Sequence, residues 1–93
     1  MGFEWDPDKA QANTNTHTGV RFEEAKAVFE DPYALTIADD VSDPIEPRFV
    51  SMGLGALGRV LVVVFRYRGD NIRIISARRA APHESGEYEA GLT

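Results

Sequence analysis

The chain has 93 residues, no cysteine and two widely separated histidines, His17 and His83; this length fills a single hydrophobic core, disulfides and thiolate metal sites are excluded, and no structural zinc is expected. Its formal charge of −5 is uneven: residues 1–47 set eleven acids against Lys9, Arg21 and Lys26, residues 48–79 set seven arginines against Asp70, and the remainder adds three glutamates. A basic block inside an acidic chain points to a polyanionic partner. With neither a secretory n-region nor an apolar run long enough for a bilayer, the expectation is one cytoplasmic domain over residues 1–93, without membrane contact.

Phe3-Glu4-Trp5 alternates apolar and polar and predicts a short strand. Asp6-Pro7 is a helix start, because Asp caps free amides and Pro at the first position loses no needed donor. That helix runs to about Asn13, where a polar stretch of poor helix formers ends it. Arg21 to Glu30 predicts a second helix with Phe22, Ala25, Val28 and Phe29 on one face, stopped by Asp31-Pro32. Ala34 to Ala38 is a strand, and the acidic, proline-containing run Asp39 to Pro47 is an exposed loop. Three strands follow, at about Arg48–Leu54, Arg59–Arg68 and Asn71–Arg78, the last two joined by Gly69-Asp70 as a hairpin. His83 to Ala90 has helical composition. The order β-α-α-β-β-β-β-α gives an α+β fold: two N-terminal helices and a C-terminal helix on a mainly antiparallel sheet.

A two-residue turn at Gly69-Asp70 sets Arg68 opposite Asn71, Tyr67 opposite Ile72 and Arg66 opposite Arg73. Alternation then writes two faces. Leu61, Val63, Phe65 and Tyr67 with Ile72, Ile74 and Ser76 form the face that packs against the helices. Val62, Val64, Arg66 and Arg68 with Asn71, Arg73, Ile75 and Ala77 form the other, cationic at one end. Arg66 across from Arg73 is a like-charge pair, so either a carboxylate from the acidic half sits between them or the site holds an anion such as phosphate. Arg78 falls on the side opposite Arg73 unless the strand ends or twists near Ala77.

Several runs together are similar to the BrnT-type toxins. They are Phe3-Glu4-Trp5-Asp6 with Lys9 and Asn13, His17 with Gly19-Val20, Phe22-Glu23-Glu24-Ala25, Gly58-Arg59-Val60-Leu61-Val62-Val63-Val64, and Arg73-Ile74-Ile75-Ser76-Ala77-Arg78. Glu84 and Tyr88 match the family's C-terminal helix. The resemblance implies a RelE-like ribonuclease, the toxin of a type II toxin–antitoxin pair. It implies neutralisation by a small BrnA-like antitoxin, in a heterotetramer that touches operator DNA only through that antitoxin. Two departures stand out: Thr16-His17-Thr18-Gly19-Val20 replaces the family's Lys-His-Gly-Val, and Arg21 stands where Ser is common.

Metal-free RNA cleavage needs the 2′-OH deprotonated, the phosphorane charge stabilised and the leaving 5′-oxygen protonated. Arginines supply the second need. Arg73 and Arg78 are the candidate catalytic cations, with His17, Glu84 and Tyr88 as candidates for acid–base work. Lys9, Arg66, Arg68 and Arg79 are candidates for holding RNA. No cofactor is expected, and Gly53, Gly55 and Gly58 lack the Lys-Ser/Thr of a phosphate-cradling loop. Each candidate also has a plainer reading: His17 as a surface residue, Tyr88 as helix packing, Glu84 as a helix-start carboxylate, Lys9 as a surface cation. The rival functions are a weak or inactive member that binds antitoxin and regulates its own expression, and a plain RNA-binding domain. The last is poorly served, since Phe65 and Tyr67 lie on the face away from the arginines and offer no stacking platform there.

Overall fold

The computed structural model describes residues 2–16, 19–39 and 45–92; His17, Thr18 and most of the acidic loop predicted between Asp39 and Pro47 lie outside them. Among the described residues the order is β1 (Gly2–Glu4), α1 (Pro7–Thr14), α2 (Phe22–Ala25) with a 3₁₀ segment (Lys26–Glu30), β2 (Leu35–Asp39), β3 (Arg48–Leu54), β4 (Val60–Arg68), β5 (Asn71–Arg79) and α3 (Pro82–Ala90). Asp6 caps α1, its carboxylate accepting from the Asp8 amide at 2.8 Å, and Pro7 follows at the first position. The predicted second helix is α-helical for one turn only. Phe22, Ala25 and Val28 recur every third residue, which matches the three-residue turn of a 3₁₀ helix, and all three are buried.

The five strands form one mixed sheet in the order β1-β5-β4-β3-β2, with β1 parallel to β5 and the other neighbours antiparallel. Gly69 takes a positive φ of 57°, which opens the tight hairpin turn at no steric cost. The predicted pairs Arg68–Asn71, Tyr67–Ile72 and Arg66–Arg73 all form. Beyond them the register changes. Phe65 faces Ile74, but Val64 faces Ser76, so Ile75 is an extra residue in β5. Such a bulge reverses the facing of everything after it. The expected places of Ser76 and Ala77 are thereby exchanged: Ala77 is buried in the core and Ser76 lies half-buried on the second face.

Val20, Phe22, Ala25 and Val28 pack against Leu61, Val63, Phe65, Ile72, Ile74 and Ala77, with Phe3, Trp5 and Phe29 at the margin. Phe65 sits among three rings, 4.8 Å from Phe29, 5.7 Å from Phe49 and 5.6 Å from Tyr67 between centroids. The expectation that one face takes the helices needs correction, because α3 crosses to the other. Val62 and Met52 are apolar on that second face, and Tyr88 of α3 covers them. No helix among the described residues is long and apolar enough to cross a membrane.

Candidate nucleic-acid interface

The bulge at Ile75 decides which arginines share a surface. Val62 lies opposite Arg78 and Arg66 opposite Arg73, and directly opposed residues point the same way. Arg73 and Arg78 therefore stand on one face, the one that carries α3. Arg79 pairs with Leu61 and so belongs to the helix-covered side, where Lys9 is also found, exposed on α1. Arg68 is exposed beside the hairpin turn, on the face of Arg66.

One further arginine joins them. Phe49 pairs with Phe65, which sets Arg48 beside Arg66 when the ladder is carried one step further. Asp39 pairs with Arg48 and Glu4 with Arg73. A row thus crosses all five strands: Asp39, Arg48, Arg66, Arg73, Glu4. Neighbouring strands lie roughly 4.8 Å apart, so the three central cations crowd one another. Carboxylates from the acidic half offset this. Glu46 meets Arg66 Nη1 at 2.5 Å and Glu4 meets Arg73 Nη1 at 3.3 Å. Arg48 was missed in the sequence, although Arg48-x-Val50-x-Met52 alternates legibly, because nothing in the glycine-rich β3–β4 connection fixes how β3 aligns with β4.

At the other end of the face Arg78 and Glu84 form a two-pronged pair, Nη1 to Oε1 at 2.8 Å and Nη2 to Oε2 at 2.9 Å. Glu84 Oε1 also accepts from the Ala81 amide at 2.8 Å, at the start of α3. The Arg78 guanidinium, followed by that amide, pulls the Glu84 carboxyl down to about 2, while the same contact raises Arg78. Tyr88 donates to Asp31 Oδ2 at 2.5 Å and is buried. That bond to a carboxylate, with desolvation, pushes its hydroxyl up to about 12. Asp31 is itself lowered: burial works to raise it, but the Tyr88 hydroxyl and the Leu54 and Tyr33 amides outweigh burial.

At neutral pH Glu84 is thus held ionised and Tyr88 protonated, and neither is poised to exchange a proton near pH 7. The face offers fixed cations: Arg78 with a half-exposed side chain, Arg66 and Arg73 more enclosed. His17, the candidate whose ordinary range lies nearest neutrality, lies outside the described residues. Among the described residues no group of three or more His, Asp or Glu side chains is placed to hold a metal ion.

A family model described as the ribonuclease toxin BrnT of type II toxin–antitoxin systems matches residues 5–84. Among solved structures, the Brucella abortus ribonuclease toxin BrnT superposes with a TM-score of 0.66 at 26% identity, over 87% of this chain and 97% of that one. No curated protein matches the chain.

Proposed function

The chain belongs to the BrnT family of ribonuclease toxins from type II toxin–antitoxin systems, and from that premise we propose that it is a RelE-like, metal-independent endoribonuclease that cuts cytoplasmic RNA and so inhibits translation. The observation that carries this reading is the bulge at Ile75, which puts Arg73 and Arg78 on one face with Arg66. In the reaction the 2′-oxygen attacks phosphorus as its proton leaves, negative charge builds on the phosphorane oxygens, and the 5′-oxygen departs taking up a proton. Arg73 and Arg78 stabilise the charge. Glu84 holds the Arg78 fork in place through two bonds, a positioning role that suits its low pKa. Proton transfer falls to His17. Arg66 and Arg68 steer the backbone, while Lys9 and Arg79, on the helix side, contribute at most to long-range attraction.

A BrnA-like antitoxin completes the reading, in a heterotetramer whose operator contacts belong to the antitoxin. The exposed apolar side chains of Leu35 and Ile37 on the edge strand β2 support a need for such a cover. One observation favours the rival reading of an inactive, antitoxin-binding module: the Arg78–Glu84 and Tyr88–Asp31 contacts engage three candidate catalytic groups with partners inside the chain. Incubating purified, folded chain with total RNA in EDTA separates the two. Discrete cleavage, lost in Arg78→Ala, is the expected result; intact RNA at large protein excess overturns the ribonuclease and leaves the module.

A further inference from the structure

The Arg48–Arg66–Arg73 row is under-satisfied in a way that the Arg78 end is not. Arg78 gives both prongs of its fork to Glu84, whereas Arg66 and Arg73 each reach their carboxylate through Nη1 alone. Among the described residues, the Nε atoms of Arg48 and Arg66 are buried and lack an acceptor. Buried N–H groups of a charged side chain are rarely left so, and here two occur on adjacent strands in the middle of a like-charge row. A tetrahedral phosphate has enough oxygens to accept from neighbouring guanidinium groups at once, in the two-pronged manner Arg favours. Glu46, which holds Arg66, has a side chain 59% exposed, so its carboxylate can swing away without disturbing the core.

Resting on the RNA reading above, we infer that Arg48, Arg66 and Arg73 form a phosphate subsite in which Glu46 and Glu4 serve as internal counter-ions that a backbone phosphate of bound RNA replaces. Arg78 lies five residues along β5 from Arg73, roughly 15 Å away at strand rise. Arg48 stands two strands further from Arg78 than Arg73 does, so one phosphate cannot touch both; Arg48 and Arg66 grip a flanking phosphodiester, and Arg73 stands between it and the cleaved one.

The test is anisotropy of a labelled 2′-O-methyl RNA oligonucleotide, which cannot be cleaved, over a range of salt. Arg48→Ala weakens binding about tenfold and reduces the logarithmic salt slope by about one, as for loss of one phosphate contact. Glu46→Gln, an exposed change that leaves the arginines in place, tightens binding severalfold. Competition with inorganic phosphate settles the source of the ligand. Displacement of phosphate by the oligonucleotide, followed on the Arg48 Nε–H resonance, supports an RNA subsite; phosphate binding that the oligonucleotide leaves untouched overturns it. Parent-like binding by both variants also overturns the subsite while leaving cleavage intact. An oligonucleotide bound with these variant effects but never cut in its unmodified form overturns the ribonuclease and keeps the subsite.

Discussion

β1 pairs only with Asn71 to Arg73, and further along β5 the outer side of Ala77 is taken by Asn13 of α1. The Ala77 amide donates to Asn13 Oδ1 at 3.1 Å, and Asn13 Nδ2 donates to the carbonyls of Ala77 and Val20, each at 2.8 Å. Asn13→Ala strands both Ala77 groups in a part-buried place, and a denaturant melt should show a loss of about 1–3 kcal/mol. Glu84 sets a second expectation at this scale. Its folded pKa lies below its ordinary 4.5, at about 2, so its stabilising contribution is complete above 4.5 and fades as pH falls toward 2. Tyr88 is the opposite case: raised from 10.0 to about 12, it contributes fully below pH 10 and less as pH climbs to 12. Glu84→Gln should therefore trail the parent chain in urea midpoint at pH 7, with the gap narrowing below pH 4.5 and visibly smaller at pH 3. Parallel midpoints from pH 7 to pH 3 would dismiss the pairing as an energetic feature.

The elements near the Gly69-Asp70 turn were legible in the sequence because a two-residue turn fixes the pairs beside it. The order of elements was legible too, from Asp6-Pro7, Asp31-Pro32 and the alternating strands. What the residues did not announce was the bulge: Ile75 is as good a strand former as Ile74, and an inserted position carries no residue-type signature. Assignments beyond it are therefore one step out for a regular strand, and the bulge is the irregularity that brings Arg78 to the side of Arg73. The side taken by α3 was hidden for another reason. Of that helix only Tyr88 is buried, too little apolar surface to declare a face. One link between elements carries no signature in the sequence. Arg59, in the β3–β4 connection, makes a two-pronged pair with the buried Glu24 of α2, at 2.6 and 2.9 Å. Arg59→Ala leaves that carboxylate alone in the interior and should cost about 3–5 kcal/mol. Replacing both by apolar residues of similar volume should recover much of it, which thermal melts of the single and double variants will measure.

Across the whole molecule, folding returns many of the acids to the arginines. Glu4, Glu24 and Glu46 of the acidic half pair with Arg73, Arg59 and Arg66, and Glu84 pairs with Arg78, so the basic block is less bare than its sequence suggested. What survives is a division of labour between the faces of one sheet, with the aromatic core on one and Arg48, Arg66, Arg73 and Arg78 on the other. That division is testable with two substitutions. Arg73 is partly exposed and holds Glu4 at 3.3 Å, a pair of a kind that contributes about 0–1 kcal/mol. Arg73→Ala should therefore fold almost as well as the parent, while RNA cleavage falls roughly 10²-fold through loss of one donor to the transition-state charge. Phe65 is 1% exposed and ringed by Phe29, Phe49 and Tyr67. Phe65→Ala should cost about 3–5 kcal/mol from lost burial and the cavity left behind. Whatever fraction stays folded should keep its cleavage rate, since the arginine face is untouched. Urea melts and single-turnover cleavage on the same two proteins decide the matter. If Arg73→Ala unfolds the chain while Phe65→Ala is tolerated, the row of arginines is structural and the chemistry belongs elsewhere on the molecule.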